Sequence, residues 1–379
     1  MRENKTIEKI KSMSLEEKIG QLNQVQLEDT KQLREEIRKG RVGSVILADT
    51  ATAGNDEQKR IDVSLLNELQ RIAVEESSAG IPLIFGRDVI HGHHTVLPIP
   101  LAIAAGFDTE LVEKAYRAVA EEAANDGVHW TFSPMIDISR DPRWGRGQET
   151  YGEDPYLTSR LGVRFIKGIQ GHGDYMKAAA CAKHFAVHSG PESVRHGFNA
   201  EVSEYDLWDT YLPAFEACVK EGGVEAVMGA YNSVDGEPCC GSRRLMGDIL
   251  RGQWGFEGHY VSDCGAISDF HQFHKITDTA PESAALALKN GCDINCGNTY
   301  LMLLQALQEG RVTEEEITQS CVRAFTCRYL LGLFSDDNEY NQIPYEANDC
   351  DRHAEAALNA AQRSMVLLKN DGILPLNLS

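Results

Sequence analysis

The sequence predicts an α/β protein, a TIM-like (β/α) barrel, on three observations. Apolar runs of strand length recur along the chain, helical periodicity separates them, and the alternation repeats at least six times. Such an order implies parallel strands joined by right-handed crossovers. No G-x-G-x-x-G or G-x-x-x-x-G-K-[ST] turn follows a strand, which weighs against an open nucleotide-binding sheet and favours the closed barrel. At 379 residues, one barrel with added segments absorbs nearly the whole chain.

The strand candidates, in order, are VGSVILA (42–48), IPLIFGRD (81–88), HWTFSPMIDIS (129–139), KAAACAKHF (177–185), VEAVMGAYN (224–232), GHYVSD (258–263) and CDINCG (292–297). They are continuous rather than alternating apolar runs, as expected of strands covered on both faces. Between them, DTELVEKAYRAVAEEAANDG offers Asp108 or Thr109 as a cap and an apolar stripe of Leu111, Val112, Ala115, Tyr116 and Val119, with Gly127 beyond its end. Pro213 should kink or split LWDTYLPAFEACVKEG, because its ring clashes with the preceding turn and it has no N–H to give. TEEEITQSCVRAFTCRYLLGLF opens with Thr313 and Glu316 at capping-box spacing. The barrel is expected to span 1–350. Residues 351–379 read as a linker helix and then MVLLKNDGILPLNLS, the first strand of a truncated second domain.

A composition of 42% hydrophobic and 25% charged residues is that of an ordinary soluble globular protein. The formal charge of -20 repels phosphate backbones and anionic lipid headgroups, so neither nucleic acid nor membrane is an expected partner. The first 30 residues contain no apolar signal core, and no run reaches the roughly 18 apolar residues of a membrane span; the chain reads as cytoplasmic. Ten cysteines, among them Cys181, Cys218, Cys264, Cys321 and Cys327 in apolar segments, are expected to be mostly buried thiols. Cys292 and Cys296 lack a second pair at zinc spacing, so no structural metal is expected, nor any cofactor.

In a barrel of this kind, chemistry collects at the carboxyl ends of the strands. Asp88 and His91 follow IPLIFGR, Asp137, Arg143 and Arg146 follow FSPMI, and Lys183 and His184 follow AAACA. Tyr231 and Asn232 follow VMGA, and Asp263 follows HYVS. Burying carboxylates beside Lys and Arg costs several kcal/mol unless the geometry is good, so five such strand ends on one rim point to a site. Fixed donors and acceptors of this kind suit a polyhydroxylated ligand. An ionised Asp263 below a sugar ring could attack the anomeric carbon and form a glycosyl ester, with Tyr231 steadying it by a donated hydrogen bond. Blander readings stand beside these. Asp137 and Arg143 can equally be a loop-holding ion pair, and His93 and His94 can be loop or core imidazoles. A barrel metallohydrolase using the HGHH stretch (91–94) with His184 and Asp263 is a further alternative.

Seven stretches carry a family likeness: MSLEEKIGQL (13–22), DVIHG (88–92), LPIPLAIAAGFD (97–108), RDPRWGRGQETYGEDPYL (140–157), KHF (183–185), MGAYNSVDGEPCCGS (228–242) and LRGQWGFEGHYVSDCGAI (250–267). In this order they resemble the N-terminal barrel of glycoside hydrolase family 3, the retaining β-glucosidases and β-xylosidases, over roughly residues 6–376. The resemblance implies an exo-acting enzyme that removes terminal non-reducing β-D-glucosyl residues through a covalent glycosyl-aspartate. It implies Asp263 as nucleophile with Tyr231 beside it, and Asp88 as acceptor for the sugar's O4 and O6 hydroxyls. Arg146, Lys183, His184 and Arg195 are implied as further glycone contacts. Gly265 would turn the chain away from the nucleophile.

Two departures qualify it. Cys264 stands where many relatives carry tryptophan. The acid/base of two-domain members resembles a glutamate on a loop of the second domain, while barrel-only members use an Asp-His pair in G-H-G-x-T-x-x-D-S-H after K-H-F. This chain reads AVHSGPESVRHGFNA there, so the general acid/base is expected outside it, with Glu192, His188 and His196 as the only local substitutes. RDVIHGHHTVLPIPL is similar to the glucosidase branch, whereas RHGFNAEVS and GEPCCGS lean towards xylosidases; Asp88, able to bind an O6 hydroxyl, favours glucose. The expected partners are therefore a β-glucoside or β-xyloside oligosaccharide and a second domain or another copy of the chain. A carbohydrate-binding barrel that is inert without such a partner is the non-enzymatic alternative.

Overall fold

The computed structural model describes residues 2–47, 61–335 and 337–377, with the side chains of 2–6 left aside. Ala48, at the end of the first strand candidate, and Leu378 and Ser379 of the tail lie outside the described residues. Among the described residues, eight parallel strands form the barrel sheet: β1 Asn23–Gln26, β2 Ser44–Ile46, β3 Ile84–Arg87, β4 Trp130–Thr131, β5 Cys181–Phe185, β6 Ala226–Gly229, β7 His259–Ser262 and β8 Asn295–Cys296. They form a curled sheet of five (β8-β1-β2-β3-β4) and one of three (β7-β6-β5). Isolated parallel bridges join the two, Trp130 to Ala179 and Met135 to Lys183 on one seam, and Val261 to Ile294 on the other. Pairing therefore follows chain order and returns from β8 to β1. A helical segment follows each strand, as the alternation requires.

Local causes are readable. Asp108 caps the helix Thr109–Asn125 by accepting from Leu111 N at 3.0 Å, and all five residues of its expected stripe are buried. The Thr313–Glu316 capping box forms at the start of Glu314–Leu330. Pro213 splits its helix: a π-helical turn covers Leu207–Tyr211, and an α-helix begins anew at Pro213, where a missing N–H costs nothing. In HWTFSPMIDIS only Trp130–Thr131 is strand, because Pro134 cannot donate to a ladder.

Three expectations need correction. β1, with sequence NQVQ, was no strand candidate, since its apolar content is one valine; Asn23 and Gln24 are nevertheless 1% exposed. Cys264 and Cys296 are not thiols but a disulfide, their Cα atoms brought to 4.5 Å by the adjacent ends of β7 and β8. Of the eight free cysteines, Cys350 alone is not buried. The linker helix forms over Asp351–Arg363, but 365–377 contains no strand, for a strand needs a partner to pair with and none lies beside it among the described residues. Its apolar side chains are open to solvent, Leu368 to 91%.

Candidate active site

The carboxyl ends of β3, β5 and β7 bring the charged residues together. At the end of β3, Asp88 accepts from Ile90 N and Ser133 Oγ on Oδ1, each at 3.2 Å. Lys183 Nζ, from within β5, ion-pairs with the other oxygen, and both side chains are nearly buried. A carboxylate offers about four acceptor positions, so Asp88 keeps capacity for a hydroxyl.

His184, 1% exposed, follows Lys183 and is anchored by Asp137, whose Oδ2 accepts from His184 N at 3.0 Å and lies 2.8 Å from Nδ1. Burial first, then the charges of Arg146, His188 and Lys183, push the imidazole pKa far down, so the ring is neutral. With the proton on Nδ1 facing Asp137, Nε2 presents a lone pair, which Arg146 Nη1 reaches at 3.3 Å. The 3.6 Å approach of that Nε2 to Asp263 Oδ2 is then no ion pair; the guanidinium is the cation they share. Arg146 is itself fixed by a bidentate bond to Glu149, at 2.9 and 2.8 Å.

Asp263 ends β7 and is 8% exposed. Cys264 N donates to its Oδ1 at 2.8 Å. Burial raises its pKa, and Arg146 and Lys183 pull it back only in part. Gly265 turns the chain at φ 84°, a backbone conformation open to glycine.

Tyr231 stands beside this carboxylate: its hydroxyl reaches Cys264 O at 3.0 Å, and its hydrogen-bonding interaction with Asp263 is among those that lower the carboxyl pKa against burial. Arg195 joins the group at its edge: its guanidinium lies over the Tyr231 ring at 5.1 Å and bonds Glu192 at 3.3 Å. Arg143 pairs with Asp141 at 3.0 Å, not with Asp137.

Sequence reasoning thus missed Asp137 as the holder of His184, and Glu149 as the holder of Arg146. The signal for Glu149 was its place three residues after an arginine in a loop; for Asp137 no local signal existed. The three local acid/base substitutes are otherwise engaged. His188 sits on Asn232 Oδ1 at 3.2 Å, its pKa lowered to about 3 by burial and then by Arg146. Glu192 accepts from Trp144 Nε1 at 2.9 Å, and His196 Nδ1 lies 2.8 Å from Asp269. The metallohydrolase alternative loses His93, the second histidine of its His-x-His pair. His93 and His94 both turn to Asp126, at 2.9 and 2.7 Å, a trio that could hold a cation but is separate from His184 and Asp263.

Residues 14–327 match the model described as Glycosyl hydrolase family 3 N terminal domain. The chain is 42% identical over 346 residues to the Xylan 1,4-beta-xylosidase of Xylanibacter ruminicola, covering 82% of this chain and 40% of that protein. It is 36% identical over 376 residues to the Periplasmic beta-glucosidase of Salmonella typhimurium, covering 95% and 47%. Among solved structures, the beta-glucosidase from Listeria innocua in complex with glucose superposes with a TM-score of 0.88 at 32% identity, over 99% of this chain and 53% of that one. The chain spans about half the length of the relatives it matches. With a family match over most of its length and relatives at 42% and 36% identity, this chain belongs to glycosyl hydrolase family 3, of which it carries the N-terminal domain.

Proposed function

We propose that this chain is the glycone-binding, nucleophile-bearing part of a retaining exo-β-glycosidase acting on terminal β-D-glucosyl residues. The observation that carries the reading is Asp263: a carboxylate 8% exposed, at a strand end, facing Arg146 and a neutral His184. Stability alone gives no reason to keep a buried carboxylate whose pKa burial has raised. In the reaction, one Asp263 oxygen bonds the anomeric carbon as the aglycone oxygen leaves with its electron pair, and water later cleaves the ester. Arg146 and Lys183 favour the ionised form of the attacking group against burial. Asp88, with acceptor capacity left, takes sugar hydroxyls, and Lys183 and His184 bound the same side.

Protonation of the leaving group is assigned to a second domain, since His188, Glu192 and His196 are held by other partners. A β-xylosyl substrate is the second reading, favoured by the 42% identity to a protein named Xylan 1,4-beta-xylosidase. No described helix is long and apolar enough to cross a membrane. A disulfide persists in oxidising compartments, and one relative is named periplasmic; both favour such a compartment over the cytoplasmic expectation.

The test is hydrolysis of 2,4-dinitrophenyl β-D-glucoside and β-D-xyloside, followed by proton NMR. The β-anomer should form first, with the glucoside preferred and natural disaccharides untouched by the chain alone. First appearance of the α-anomer would contradict retention. A xyloside preference would select the second reading, and rapid cleavage of natural disaccharides would place the acid/base within this chain.

A further inference from the structure

The peptide after the nucleophile is bonded on every side. Cys264 N donates to Asp263 Oδ1 at 2.8 Å, and Cys264 O accepts from Tyr231 Oη at 3.0 Å. Its sulfur is bonded to Cys296 at the end of β8. The neighbouring backbone repeats the tie: Gly265 N donates to Cys296 O at 2.8 Å, and Cys296 N donates to Ser262 Oγ at 3.0 Å. Asp263 is thus oriented by an amide that the disulfide holds against β8. A one-ångström error in such an amide re-aims the carboxylate, and misplacement on that scale can cost about a hundredfold in rate.

The bridge is also reachable. Cys264 is half-buried, and both cysteines line an open cavity of about 520 Å³ beside β1. It is the one disulfide among the described residues.

We propose that Cys264 is a positioning residue for the nucleophile, acting through its disulfide to Cys296, and that a thiol opening this bridge slows glycosyl transfer to Asp263. The inference rests on the nucleophile assigned above. In the opening step a thiolate of an added dithiol attacks the Cys264 sulfur and displaces the Cys296 thiolate. The second thiol of the reagent then displaces the Cys264 thiolate, so the bridge gains two electrons and the reagent leaves as a cyclic disulfide.

The test measures labelling of the whole chain by 2,4-dinitrophenyl 2-deoxy-2-fluoro-β-D-glucoside and its xylosyl counterpart, followed by intact mass. These reagents need no acid catalyst, so the chain is tested as it stands. The first-order labelling rate at saturating reagent should fall about ten- to a hundredfold after treatment with dithiothreitol and desalting, and return on reoxidation with diamide. Cys296→Ser should label at the slow rate whether treated or not. Equal saturating rates in bridged and opened protein, or a change confined to the reagent's dissociation constant, would overturn the proposal. If Cys296→Ser does not fold, the wild-type reduction and reoxidation arms decide alone. Absence of label in the bridged protein would overturn the nucleophile assignment, and this inference with it.

Discussion

Two buried carboxylates sit in this molecule under opposite rules. Glu122, on the helix Thr109–Asn125, is fully buried and accepts from five donors: the amides of His94, Thr95 and Asp349, the Thr95 hydroxyl and His353 Nδ1. Burial pushes its pKa up, but the hydrogen bonds from Thr95, His353 and Asp349 outweigh it, and the pKa ends below the ordinary value. Asp263 meets the same desolvation with fewer bonds, and its pKa ends above. The first arrangement ties the linker helix Asp351–Arg363 to the body of the fold. The second leaves acceptor capacity unspent at an opening, which is what chemistry needs and stability does not.

The largest expected effect would break the comparison at its functional end. Asp263→Ala should slow labelling and turnover by at least about a thousandfold, the scale of losing an activated nucleophile, while the thermal midpoint holds or rises. A drop in midpoint matching the drop in activity would mean that Asp263 is structural. Glu122→Ala should do the reverse. Leaving the His353, Thr95 and Asp349 donors unpaired should cost about 3–5 kcal/mol in chemical denaturation, since each buried polar group left unsatisfied costs about 1–3 kcal/mol. Unchanged stability would remove the clasp.

Asp88→Asn should lower kcat/KM for the activated glucoside by about ten- to a hundredfold, the worth of about 1.5–3 kcal/mol for a hydrogen bond to a charged group. Equal kcat/KM would take Asp88 out of the glycone site. Leu368→Asp, on the open tail, should shift stability by no more than about 0.5 kcal/mol. A larger loss would show that the tail is packed in solution.

Acidification sharpens the contrast because the two signs differ. Glu122 has a lowered folded pKa, so its stabilisation is complete above the ordinary carboxyl value of 4.5 and is lost as pH falls through the folded value. Asp263 has a raised folded pKa, so it protonates at higher pH and relieves the fold while disarming attack. Labelling should therefore fail on the way down before circular dichroism reports unfolding. Coincident loss would contradict the separation.

Much of this was legible in the chain. Continuous apolar runs located seven of the eight strands, and the polar residue after each run named Asp88, Lys183, His184, Tyr231 and Asp263 before any geometry was known. What escaped depended on contacts that no local pattern encodes. NQVQ has the wrong composition for a strand, yet Asn23 and Gln24 are buried where it pairs between β2 and β8. Asp137 looked like a partner for nearby Arg143 because both lie in one loop; it reaches 47 positions on to His184 instead. The Cys264–Cys296 bridge spans 32 residues, and only the pairing of neighbouring strand ends makes it visible. The contact of the Tyr231 hydroxyl with Cys264 O likewise depends on a turn whose backbone no local pattern places.

Peptide mapping of the fluoroglycosyl adduct tests the central claim most directly. The added sugar mass should fall on the peptide containing Asp263, with fragmentation placing it on that carboxylate. An adduct on Asp88, Asp137 or any other side chain would contradict the account.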